Sequence, residues 1–207
     1  MRKPWIPPGI ISERSARTVL EPLHGRLHQT VQRAWTSYED AAAQRSGIHA
    51  RWRTTTMHQC MTEHARELFD GIAGVSVVDG ERFLLNVGDK LLVQFKKLDA
   101  DLLTSNYPTP TARKFDHQEP VASLPSPKLP RVTLGYQPKR DWTTVLAITL
   151  VHRVGKSEPH WFYDLEASSE EMLPRIGAGG LPENVVIRPR PQQALFDKVT
   201  SRGKPKP

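Results

Sequence analysis

Asp79, Gln94 and Lys96 are the residues whose types and spacing come nearest to a catalytic set. A carboxylate followed by a Gln-x-Lys triplet is equipment for metal-dependent phosphate chemistry. Carboxylate oxygens hold Mg²⁺, a hard cation that prefers oxygen ligands. The metal then activates water and stabilises the charge developing on a phosphate. Lys96 would orient or polarise that water, and Glu63 or Glu67 upstream would add a carboxylate. On a strand, Gln94 and Lys96 share one face, as any two residues two apart do. Each residue also has a plainer use. Asp79 precedes Gly80, and aspartate is favoured in such turns for backbone reasons alone. Gln94 offers a metal less charge than glutamate would.

The alternative is binding without catalysis. Lys90, Lys96, Lys97, Arg113, Lys114, Lys139 and Arg140 form a candidate cationic face, with Tyr107 and Tyr136 available for stacking. Lysine and arginine grip phosphates without regard to sequence, and aromatic rings add base stacking on single strands. The chain carries 29 Lys and Arg against 22 Asp and Glu, a formal net charge of +7. That balance favours an anionic partner. Lysines at strand ends also serve simply to keep sheet edges soluble, and the C-terminal residues hold several of the positive charges.

Other chemistries have little to stand on. His24 and His28 lie four apart and share a helix face, a spacing compatible with one metal. No third ligand is indicated, and Arg26 and Arg33 nearby make a polar face the simpler reading. His117, His152 and His160 are isolated, and Gly177-Ala178-Gly179-Gly180 lacks the strand and helix that a phosphate-binding loop requires. Cys60 is the single cysteine, which excludes an internal disulfide and a cysteine-based zinc site. Its neighbours Met57, Met61 and Ala65 mark it as a small buried hydrophobe.

The elements that must position these residues follow from periodicity. Residues 1–11 are Pro-rich and read as extended. Leu20, Leu23, Leu27, Val31, Trp35 and Tyr38 recur at helical spacing within 12–47, with Pro22 in the first turn of a helix starting near Glu21. This helical arm packs on the domain or projects towards a partner. A second helix is expected over 54–69. The period then changes to two, giving strands at 74–78, 82–87 and 90–98 with turns at Asp79-Gly80 and Gly88-Asp89. Thr109 caps and Pro110 opens a short helix to Gln118. Strands follow at 131–137, 143–154 and 160–165, and the apolar run from Thr144 to Val151 reads as the central one. Residues 12–165 thus form one α+β domain in the order α-α-βββ-α-βββ, with helices on one face of a mixed or antiparallel sheet. Residues 166–207 read as a flexible, basic, Gly/Pro-rich tail. No apolar run is long enough to span a membrane, and the N-terminus has no signal-peptide core, so a cytoplasmic location is expected.

Two resemblances sharpen these expectations. A helix, three strands, a helix and a strand is the core order of PD-(D/E)xK nucleases, which the chain resembles in that order and in its Asp79 and Gln94-x-Lys96. That resemblance implies a Mg²⁺-dependent nuclease; otherwise no cofactor is expected. Separately, Val93-Gln94-Phe95-Lys96-Lys97-Leu98-Asp99, Ser105-Asn106-Tyr107-Pro108-Thr109, Leu134-Gly135-Tyr136 and Trp161-Phe162-Tyr163-Asp164-Leu165 resemble a poorly characterised family of bacterial proteins. Their genes often sit beside one for a protein with a helix-turn-helix and an ImmA/IrrE-type metallopeptidase domain. That implies one half of a toxin–antitoxin-like or phage-defence pair. Its component engages an anionic target, cuts nucleic acid, or serves as a non-catalytic protein-binding partner of the metallopeptidase.

Overall fold

The computed structural model describes residues 9–80, 82–104, 109–120, 128–155 and 159–166. Residues 1–8, Tyr107 and the basic tail from 167 onward lie outside the described residues. Ser12 caps the first helix, α1 (Glu13–Leu20), by accepting from the Ser15 amide at 3.2 Å. Proline lacks an amide donor and collides with the carbonyl four residues back. Pro22 accordingly sits in a 3₁₀ turn (Glu21–Leu23) between α1 and α2 (His24–Ala43), and the single expected helix becomes two. The next helix, α3 (Ala50–Phe69), begins four residues earlier than its apolar period suggests. His49 Nδ1 accepts from the Trp52 amide and supplies a cap that the periodicity does not register.

Among the described residues six strands follow: β1 (Val75–Asp79), β2 (Phe83–Val87), β3 (Leu91–Lys97), β4 (Arg131–Pro138), β5 (Val145–His152) and β6 (Trp161–Asp164). Helix α4 (Pro110–Asp116) lies between β3 and β4 and is capped by Thr109. At the β2–β3 turn, Gly88 and Asp89 both take positive φ, the backbone that tight hairpins demand and glycine and aspartate tolerate. Lys90 N closes the turn on Val87 O at 3.0 Å. The strands pair in chain order, all antiparallel except β3 with β4. The molecule is of the α+β class.

A parallel pair needs a crossover, and that requirement overturns the expectation of helices on a single face. Alternation along the strands puts Leu85, Val93, Phe95, Leu134 and Tyr136 against α1, α2 and α3 in the main core. Leu84 and Leu92 face the other way and pack with Phe115 of α4 in a second, smaller cluster. The expected central strand is also displaced. The sheet's middle is β3 and β4, while β5 lies next to the edge strand β6. The start of β5 runs past the end of β6, which pairs only with 149–152, so Leu146 is 65% exposed. An apolar run alone does not distinguish a central strand from one that outruns its neighbour. Glycine leaves room at Gly135 on β4 for the Leu98 side chain folded over it; a β-carbon there would force Leu98 to move. The stripe on the N-terminal helices is packed rather than projecting: Leu20, Leu27, Val31, Trp35 and Tyr38 are all core residues.

Candidate anion-binding cleft

The carboxyl ends of β3 and β4 lie together because the two strands are parallel, with Lys97 paired to Tyr136. On its other side β3 outruns β2, whose strand ends at Phe83. The hairpin register, with Leu84 opposite Gln94, carries Arg82 back to the level of Lys96. From the helical side, Thr54, Thr55 and His58 of α3 approach the same place; their three- and four-residue spacing puts them on one helix face. Two cavities result. The larger, about 220 Å³, is lined by Thr54, Thr55, His58, Lys96 and Lys97, with Met61 and Tyr136 as its floor. The smaller, about 110 Å³, is lined by His58, Arg82, Gln94 and Lys96 and backed by Phe83 and Phe95. His58 and Lys96 line both, and among the described residues no carboxylate lines either.

These cations stand where water solvates them poorly and where they repel one another. Burial lowers the pKa of Lys96, the positive charge of Arg82 lowers it further, and Asp116 on α4 only partly offsets them. Burial likewise lowers that of His58, with Lys96 as the second cause. Asp116 is itself pushed up by burial, against the pull of Arg153, Arg82, His117 and Lys96. Positive groups held in this way gain from a bound anion, which supplies counter-charge beyond what Asp116 provides.

An aromatic group adjoins the cleft. Trp142, at positive φ in the β4–β5 connection, stacks on Trp35 with ring centroids 6.0 Å apart. Lys97 Nζ lies 5.4 Å from the Trp142 ring centroid and the Arg53 guanidinium 5.8 Å from it. Tyr136, expected as a stacking platform, is 1% exposed and forms part of the core. Burial holds its hydroxyl protonated well above the ordinary tyrosine range.

Of the expected cationic face, Lys96 and Lys97 come together. Lys139 and Arg140 follow β4 at the same end of the sheet, both exposed, with Lys139 paired to Asp141 at 3.2 Å. Lys90 precedes β3 at the opposite end, about 20 Å away along an extended strand. Arg113 and Lys114 are exposed on α4, across the sheet from the three N-terminal helices.

The expected metal set is not assembled. Asp79 pairs with Phe83, whose side chain joins the main core, so Asp79 and Gln94 are on opposite faces. Its carboxylate accepts from Arg66 Nη2 at 2.6 Å. Gln94 is 4% exposed and donates to Thr133 Oγ1 at 2.7 Å, and the residue opposite it on β2 is the apolar Leu84. Glu63 is exposed on α3. The helix–three strands–helix–strand order is present from α3 to β4, but these side chains do not fit a Mg²⁺ ion. Among the described residues no group of three or more His, Cys, Asp or Glu is placed to hold a metal. His24 Nε2 lies 3.0 Å from Tyr163 Oη rather than beside a second ligand. Cys60 is buried, and burial pushes its thiol up.

Reading the sequence alone missed His58, Arg82, Thr55 and Trp142. Arg82 had a signal in the hairpin turn, which carries it back beside Lys96; the others come from packing between distant segments. No family model matches the chain, nor does any curated protein or solved structure.

Proposed function

We propose that this chain binds a phosphate-bearing target, nucleic acid foremost, through the cleft between the first half of α3 and the carboxyl end of β3. The observation that carries the reading is the crowding of His58, Arg82 and Lys96 around cavities that no carboxylate among the described residues lines. Arginine forks and lysine point charges are the usual grips on phosphate, and Lys97, Lys139 and Arg140 extend the positive surface along the same end of the sheet. The resemblance to bacterial two-gene modules supplies a setting: a toxin–antitoxin-like or phage-defence component whose neighbour is a helix-turn-helix metallopeptidase protein. In this reading the chain acts by engaging its target rather than by metal-dependent cleavage.

The test is fluorescence anisotropy of a labelled single-stranded oligonucleotide across a salt series. Each phosphate contact contributes a slope of about −0.7 in log affinity against log salt. Lys96→Glu and Lys97→Glu each weaken binding and flatten the slope, with no requirement for Mg²⁺. Binding that both variants retain in full, or that vanishes on chelation of Mg²⁺, overturns the reading.

A further inference from the structure

We infer that the smaller recess is a seat for a terminal phosphomonoester, the phosphorylated end of an oligonucleotide or a free nucleotide, rather than for a phosphodiester within a continuous strand. The inference rests on the proposed binding function and says which chemical group enters first.

Its shape is the first argument. At about 110 Å³ the recess holds several waters or one tetrahedral anion. Phe83 and Phe95, both buried in the main core, form its apolar wall. An internal diester carries a substituent on each of two oxygens and needs two ways out. A monoester has one substituent, and the larger cavity, which shares His58 and Lys96 with the recess, gives that substituent a place. Each cavity alone is below the ~300 Å³ of ordinary small-molecule sites, and the two adjoin at His58 and Lys96.

Charge is the second argument. A phosphomonoester carries a charge of about −1.5 to −2 at neutral pH, with three acceptor oxygens, where a diester carries one negative charge. The recess presents cationic or donor groups from three separate elements: His58 from α3, Arg82 from the residue before β2, and Lys96 from β3. Gln94 lines it too, but its amide nitrogen is engaged with Thr133. Asp116 of α4 is the nearby carboxylate that acts on both Lys96 and Arg82, and it does not line the recess. Three such groups around one small volume are more than a singly charged diester needs, and they match a dianion.

The experiment uses the full chain and four probes of one sequence: an oligonucleotide with 5′-phosphate, with 3′-phosphate, with both ends hydroxyl, and the corresponding mononucleotide. At moderate salt the phosphate-ended forms bind at least about tenfold more tightly than the hydroxyl-ended form, the increment of one added charge-assisted contact. Arg82→Gln weakens every probe but the phosphate-ended forms most, so the ratio of phosphate-ended to hydroxyl-ended affinity collapses towards one; His58→Gln, read by the same ratio, serves as the second variant if the first does not fold. A mononucleotide that binds as tightly as the phosphate-ended strand also supports the seat and assigns it to free nucleotide. Equal affinity for phosphate- and hydroxyl-ended strands overturns the seat and leaves the wider binding function standing. Absence of binding to every probe at low salt overturns both.

Discussion

Lowering the pH from 7.5 to 5 will cost the folded protein about 2 kcal/mol through His152 alone. The ring is fully buried on β5, packed between Trp161, stacked at 5.2 Å, and His160, edge-on at 5.8 Å. Its Nδ1–H donates to the Arg131 carbonyl at 3.0 Å, so the second proton would have to go on Nε2. That atom is buried and has no hydrogen-bond partner among the described residues. Burial is the main reason the pKa falls from 6.5 to about 4; the positive charges of His160 and Arg131 also lower it, and the carbonyl contact opposes them. A histidine with a depressed folded pKa contributes full stability above 6.5. That contribution is lost as the pH falls from 6.5 towards 4, because the unfolded chain takes up a proton the folded one refuses. Over the whole window the loss is about 3 kcal/mol at about 1.4 kcal/mol per unit of pH. Urea unfolding at pH 7.5, 6.5 and 5 measures it, with His152→Gln as the reference. Glutamine can still donate to the carbonyl but cannot charge. Its own stability at pH 7.5 is immaterial, since the comparison is of slopes. His24, His28 and His58, also lowered, and Asp116, raised, contribute equally to both proteins and cancel. A wild type whose midpoint falls no faster than the variant's between pH 7.5 and 5 would show that His152 takes up its proton in the folded protein without penalty.

The remaining predictions concern the sheet and the cleft. Gly135→Ala will destabilise the protein by about 1–3 kcal/mol, the usual cost of overpacking a tight site, because Leu98 has to move; thermal or urea unfolding reads it. Asp79→Ala removes an exposed ion pair with Arg66, so it costs at most about 1 kcal/mol and leaves oligonucleotide affinity unchanged. In an NMR titration of the free protein, His58 will titrate below 6.5, and its pKa will rise either on adding a nucleotide or in Lys96→Met. A His58 pKa that ignores both changes separates it from the cleft.

The order of elements was legible because each depends on local signals: caps at Ser12 and Thr109, the Gly88-Asp89 turn, and the switch from helical to alternating periodicity at the end of α3. What stayed hidden is non-local. The parallel pairing of β3 with β4, which sets the sheet's middle and sends α4 to the opposite face, has no short sequence signature. Lys96 and Lys97 were visible as adjacent cations, but their partners come from the start of α3 and from the residue before β2. Asp79 and Gln94 made a suggestive motif on paper because spacing along a chain does not reveal face. Register does: it places an apolar Leu84 where a carboxylate would be needed beside Gln94.

Lysine-specific acylation read by mass spectrometry, with and without a saturating single-stranded oligonucleotide, reads occupancy of the cleft at the lysines themselves. Lys96 and Lys97 line the cleft, while Lys90 lies at the far end of the same strand and serves as an internal control. Labelling of Lys96 and Lys97 will fall when the oligonucleotide is bound, and labelling of Lys90 will stay the same. Protection of Lys90 to the same degree, or unchanged labelling of Lys96 and Lys97 while the oligonucleotide is demonstrably bound, contradicts binding through the cleft.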